Sequence, residues 1–266
     1  MKLQAAPLLA ALVSAACLSH AAPPPDNVFG TRERVVPALV GIFYDLKQTQ
    51  QRVPIPDLAN KYGKIIDNFL VNGLTERDLS GFFRAGLPLY TTQIYMPIMD
   101  AGRAPKAFGV EKIVKPSYWI VHYKGQIAAP EAATYRFIGA GDDVLIVAID
   151  GKVVLNANLP KPPTPLKRLN WIAPADQGPT PVNFNNHPGT YGDWIALRPD
   201  QPVDIDIIVG ERPGGGFQAQ LLYAKQGVTY PLNAEGKSVL PLFQLAARPD
   251  DSPNYLTNLP PWRCLN

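Results

Sequence analysis

The sequence predicts a mainly β fold: an antiparallel β-sandwich or barrel with a short helical insertion and a long proline-rich loop. Three features predict it. Apolar and polar residues alternate in several separate runs. The 29 prolines favour rigid turns over long helices. Short connections such as Asp150-Gly151 and Gly214-Gly215-Gly216 join neighbouring alternating runs. A chain of 266 residues with 46% hydrophobic content supplies one large core, and all-β domains of this length fold as single units.

The first residues, MKLQAAPLLAALVSAACLSHA, join a cation at Lys2 to an apolar stretch and a small-residue exit. This is the pattern of a secretory signal cut after Ala21, followed by a leader at 22–35 that opens on Pro23-Pro24-Pro25. Ala15 and Ala16 before Cys17 offer lipid anchoring as an alternative, although Ser14 stands where lipoprotein signals usually carry an aliphatic residue. No later run reaches the ~18 apolar residues that cross a bilayer, so a periplasmic or secreted protein is expected. After cleavage only Cys264 remains, which excludes an intrachain disulfide.

VPALVGIFYDL (Val36 to Leu46) alternates as a strand, and Leu58, Tyr62, Ile65, Ile66, Phe69 and Leu70 then recur at helical spacing. Thr75, with Asp78 three residues on, predicts the N-cap of a second short helix carrying Leu79, Phe82 and Phe83 and ending near Gly86. LYTTQIYMPIM (Leu89 to Met99) reads as one strand. SYWIVHYKGQI follows, with Trp119, Val121 and Tyr123 on a buried face and His122 read as a surface or sheet residue; Trp119 and Trp194 are both expected in the core. Next comes ATYRFIGAG, and then Val144 to Ile149, which is apolar on both faces and belongs in the middle of a sandwich.

Asp-Gly at 150–151 predicts a two-residue hairpin turn, because both positions must take positive φ. The proline-rich loop spans 158–192; connections of that length are usually functional or unstructured. In VDIDIIVGERPGGGFQAQLLYAK, Val203, Ile205, Ile207 and Val209 face one way and Asp204 and Asp206 the other, before a glycine-rich return. The domain is therefore drawn at 36–228, with its helical insertion at 56–86 and a C-terminal extension at 229–266 that docks on it.

Composition and spacing exclude several functions. The formal charge of +3 includes Lys2, and the remaining cations are scattered, so nucleic acid is not an expected partner. Without a Gly-x-Ser-x-Gly elbow, and with Cys264 in the tail, no serine or cysteine nucleophile is predicted. No His or Cys pair has zinc-ligand spacing. Asp142 and Asp143 are poor partners for acid–base catalysis, because successive strand side chains point to opposite faces. Asp204 and Asp206 share a face that simple solvent exposure explains.

Three stretches together carry a resemblance: Gly-Ile-Phe-Tyr-Asp at 41–45, GQIAAPEAATYRFIGAGDDVLIVAIDGKVVL at 125–155, and WIALRPDQPVDIDIIVGERPGGGFQAQLLY at 194–223. Over roughly Val36 to Lys225 the chain resembles the protective-antigen-type (PA-fourteen) domain, a β-sandwich barrel of yeast adhesins, glycosidases and bacterial secreted proteins. The resemblance implies carbohydrate binding. In the adhesins two neighbouring aspartates, joined by a cis peptide bond, hold a calcium ion that coordinates sugar hydroxyls, and an asparagine and backbone carbonyls complete the shell. Carried over, the metal ligands are Asp142 and Asp143, and Asn183, Asn185 and Asn186 are asparagine candidates by loop position. Val144 stands where the family commonly has glycine.

Two readings of the pair stay open. Calcium takes six to eight oxygens, and two carboxylates begin such a shell; alternatively the aspartates accept backbone hydrogen bonds and shape a turn. In the long loop, Trp171 offers a stacking face for a sugar ring, with Asn185 and His187 as polar partners, or else it buries its ring to fold the loop back. The expectation is an exported, non-enzymatic carbohydrate-binding module, calcium-assisted, whose partner is a glycan or another cell-envelope component. The alternatives are a structural or protein-interaction module of the envelope and, third, a polysaccharide hydrolase.

Overall fold

The computed structural model describes residues 27–159, 168–178, 189–247 and 254–265. They form two antiparallel sheets packed face to face. The strands are β1 (Leu39–Asp45), β2 (Phe83–Arg84), β3 (Leu89–Thr91), β4 (Tyr95–Asp100), β5 (Trp119–Ala128), β6 (Ala133–Asp142), β7 (Val144–Ile149), β8 (Lys152–Asn156), β9 (Thr190–Tyr191), β10 (Ile195–Leu197), β11 (Val203–Glu211), β12 (Gly216–Lys225) and β13 (Arg263–Cys264). The first sheet runs β2-β1-β5-β11-β7-β8, with β3 on β1 and β13 on β5. The second runs β10-β6-β12-β4, with β9 on β6.

Register shows why β5, β7 and β11 are apolar on both faces. Phe43, Val121, Val209 and Leu145 lie side by side across four strands and point into the sandwich. One residue along, Ile42, His122, Ile208 and Ile146 form the matching outward row. That row is covered by helix α1 (Leu58–Val71), whose Tyr62, Ile66, Phe69 and Leu70 pack onto it. The alternating pattern could not reveal this cover. His122 is fully buried, its ring edge-on to Phe69 and its Nε2 2.7 Å from Asp206 Oδ1. Asp206 thus serves a buried imidazole where exposure alone was expected.

Beyond the second sheet, residues 238–247 and 254–256 play the same covering role: Leu240, Leu242 and Tyr255 pack on Ile138, Ala140 and Leu222. A second helix, α2 (Arg103–Ala107), lies between β4 and β5. Among the described residues, no helix is long and apolar enough to cross a membrane.

Three local expectations change. The helix predicted around Leu79 to Phe83 is a single 3₁₀ turn, Glu76–Leu79. Thr75 Oγ1 bonds the Asp78 carboxylate at 2.7 Å and caps no backbone group, while Phe83 pairs with Asp45 in β2. LYTTQIYMPIM divides, with β3 in the first sheet and β4 in the second, because Thr91 Oγ1 donates to Gln93 O at 2.7 Å and bends the chain at the corner. Trp194 lies on the outer face of the second sheet, half-buried over Arg136, instead of in the core. The Asp150-Gly151 turn is as expected, with φ of 48° and 74°.

The insertion also anchors the long loop. Asp67 on α1 is buried and accepts the backbone N–H groups of Arg168 (2.7 Å) and Leu169 (2.9 Å). Leaving a buried donor unpaired costs about 1–3 kcal/mol, so Asp67→Ala should lower the melting temperature by several degrees. It should also make the bond after Arg168 the first site of limited tryptic cleavage, with Asp67→Asn intermediate. Unaltered digestion would show that the contact does not hold the loop.

Candidate functional site

Two crossings between the sheets meet at one end of the sandwich. β6 passes to β7 through Asp143 alone, and β11 passes to β12 through Arg212 to Gly215. Gln218 pairs with Asp142, and Asp143 N donates to Gly210 O at 3.1 Å, which holds the crossings side by side. The peptide bonds Asp142-Asp143 and Arg212-Pro213 are both cis.

The corner tolerates little side-chain bulk. A Cβ on Gly141 would come within 2.6 Å of Leu145 N, and one on Gly214, whose φ is +109°, within 2.9 Å of Pro116 O. From above, Tyr62 Oη donates to Trp119 O at 3.0 Å and occupies the space that a side chain at Gly210 would need.

Three acids gather here. Asp143 is buried and its Oδ2 accepts Arg212 N at 2.7 Å. Glu211 is buried, its Oε1 accepts Gly214 N at 2.8 Å, and its Oε2 has no hydrogen-bond partner among the described residues. Asp142 is half-buried. Burial pushes the Asp143 carboxyl up to about 6; the Arg212 N–H opposes the rise and the Asp142 charge adds to it. Burial likewise pushes Glu211 up to about 8, against the Gly214 N–H and with the charges of Asp143 and Asp142.

The exit of β8 closes the corner. Asn158 Oδ1 accepts Leu145 N at 2.9 Å, Leu159 N donates to Asp143 O at 2.8 Å, and Asn158 Nδ2 is buried without a partner among the described residues. Glu211 and Asn158 were not singled out from sequence as site residues. The glutamate closing the late strand was visible, but nothing local indicated that residues 69 positions apart, such as Asp143 and Arg212, would bond.

Asn183, Asn185, Asn186 and His187 lie outside the described residues, as do Cys17, residues 22–26 of the leader and residues 160–167; the rest of the expected leader is part of the domain, since Val28 and Phe29 are buried in the core between the sheets. Trp171 is half-buried against the cluster under α1, and its Nε1 donates to Asp193 Oδ2 at 3.1 Å.

Chemically the corner offers hard oxygen donors. Among the described residues, no three of His, Cys, Asp and Glu are grouped as ligands of one metal ion. A cation here would take Asp142 and Asp143 and complete its shell from uncharged oxygens. The donor set fits calcium in kind, since it is all oxygen, and Glu211 Oε2, without a hydrogen-bond partner among the described residues, adds a further buried oxygen to the corner.

The raised carboxyls make the metal-free protein pH-sensitive. The folded state retains the Glu211 proton where the unfolded chain has lost it. Stability from this group is therefore fully present below about pH 4.3, the ordinary glutamate value, and is lost as pH rises through about 8. Asp143 adds to this over a lower window, from the ordinary aspartate value up to about 6. In chelator the melting temperature should fall from about pH 5 to about pH 8. Glu211→Gln, which keeps an acceptor for Gly214 N, should flatten the fall and melt higher at the alkaline end. Identical calorimetric profiles for the two proteins would refute this.

No family model and no curated protein matches the chain. Solved structures similar to it include a PA14 sugar-binding domain from an RTX adhesin, 18% identical with a TM-score of 0.42, covering 74% of this chain and 94% of that one. The PA14 domain of the antifreeze protein MpAFP is 13% identical at a TM-score of 0.41, covering 74% and 86%. The epithelial adhesin 9 A domain of Candida glabrata, in complex with Galβ1-3GlcNAc, is 12% identical at 0.40, covering 78% and 87%.

Proposed function

We propose that this chain is an exported, non-enzymatic carbohydrate-binding module whose glycan site lies at the acidic corner, with calcium held by Asp142 and Asp143. The observation that carries the reading is the corner itself. Neighbouring carboxylates stand where both sheet crossings meet, beside Glu211, whose Oε2 is buried without a partner among the described residues. When bound, the ion would offset the charge of the two aspartates and present open coordination positions to vicinal sugar hydroxyls. The chain's own part is to fix the aspartates: the Arg212 N–H orients Asp143, and the backbone at Gly215, with nothing within 4 Å of where a side chain would start, leaves room for a ligand to approach.

The non-enzymatic reading is supported by His122, which is fully buried under α1 against Asp206. Export rests on the pattern of the first 21 residues. The test is calorimetric titration of the chelator-stripped protein with calcium, followed by a glycan array with and without the ion. Calcium uptake together with calcium-dependent glycan retention is the expected result; no retention of any glycan under either condition would end this reading.

A further inference from the structure

At the opposite end of β6, six residues and so roughly 20 Å along the strand from Asp142, Arg136 lies on the outer face of the second sheet. Its guanidinium is sandwiched between two rings, 4.4 Å from the Tyr191 centroid and 4.2 Å from that of Trp194. Nη1 donates to Asp176 O (2.9 Å) and Asp176 Oδ2 (3.1 Å), and Trp194 Nε1 donates to the same carboxylate at 3.0 Å. Arg136 is more than nine-tenths buried, and its Nε has no hydrogen-bond partner among the described residues. Beside it opens a cavity of about 410 Å³ bordered by Arg136, Trp194, Lys225, Thr229, Tyr230 and Ser238, within the size range of small-ligand sites.

The lining is chemically one-sided. Among the described residues it contains two cations and no acid. The acids that pair with those cations, Asp176 and Glu131, stand outside the cavity lining and are 59% and 60% exposed. Such exposed partners are weakly held and readily displaced by a better-placed anion. The stacked guanidinium cannot turn away, so its planar donor fork is fixed before any ligand arrives. Tyr230 Oη accepts Lys225 N at 2.9 Å, which leaves its own hydrogen to donate. With Thr229 and Ser238 it sets hydroxyls beside the half-buried indole. An indole face, several hydroxyls and a fixed cation pair match a sugar ring that carries a carboxylate.

We infer that this cavity is a second saccharide site, distinct from the acidic corner, which binds hexuronate units through Arg136 and Lys225 with the pyranose ring against Trp194. It needs no metal. Full-length chain in chelator would be titrated by calorimetry with trigalacturonate and, separately, with neutral galactotriose. Expected is binding of the uronate at least tenfold tighter than the neutral sugar, weakened at least tenfold by Lys225→Gln and by Trp194→Ala. Asp143→Asn should leave it unchanged, with folding verified by near-ultraviolet circular dichroism. Equal affinity for the two sugars, no binding of the uronate, or loss of binding in chelator or in Asp143→Asn would each overturn the assignment. Because the acidic corner is tested by its calcium response, failure there and failure here are separately visible.

Discussion

Asp143→Asn is expected to abolish calcium-dependent glycan retention while leaving the sandwich folded. Asparagine keeps an oxygen to accept the Arg212 N–H that Asp143 Oδ2 now receives, so the corner retains its backbone pairing. What disappears is one negative charge and one oxygen of the proposed calcium shell. Since ligand charge count tunes calcium affinity over many orders of magnitude, a loss on the order of a hundredfold is expected. The wild-type protein, at calcium one hundred times its dissociation constant, should gain about 2.7 kcal/mol, or roughly 5 to 10 °C in melting temperature for a domain of this size. The variant at the same concentration should gain almost nothing. An equal calcium-induced rise in both proteins would place the ion elsewhere and remove the corner from the mechanism.

The largest loss of stability is expected from Trp262→Ala. Trp262 is 1% exposed and meets four rings: Tyr135 at 5.0 Å, Tyr223 at 5.4 Å, Phe243 at 5.7 Å and Phe137 at 5.8 Å between centroids. Removing the indole takes out the shared centre of that cluster and leaves a cavity between β6, β12 and the tail. Truncations of this kind cost about 3–5 kcal/mol, which corresponds to roughly 6 to 20 °C. Urea denaturation followed by tyrosine and tryptophan fluorescence would measure it, with Trp262→Phe losing a smaller share. A loss below about 1 kcal/mol, the level of an ordinary substitution, would mean that the tail adds little to the core.

Strand positions were readable because the two-residue period survives wherever one face is wet. Val203, Ile205, Ile207 and Val209 alternate with Asp204 and Asp206, and they do line the core. The reading weakened where a third layer covers a sheet: His122 and Ile208 share the outward row under α1, and burial on both faces erases the contrast that marks orientation. It weakened again where the chain changes sheet. Residues 89–99 read as one strand because β propensity runs through the bend that Thr91 and Gln93 create.

For the candidate site, the acidic pair stood out since two charged residues interrupt an apolar run. Glu211 and Asn158 did not. Their meeting depends on which strands become neighbours, and that is decided by packing far from either residue. Trp194 was misplaced for a similar reason: its ring finds Arg136 on an outer face that the tail only partly covers.

The path of β5 has a mechanical consequence. One end of the strand, at Trp119, pairs with Glu211 in the acidic corner, and the other, at Ile127 and Ala128, holds β13. A load applied at the corner and resisted at β13 therefore runs along β5 and its neighbour β11. Ladder hydrogen bonds lie across the strands, so such a pull shears the whole nine-residue length of β11 at once instead of unzipping it pair by pair. Force taken up through the corner would meet the sandwich along its stiffest direction.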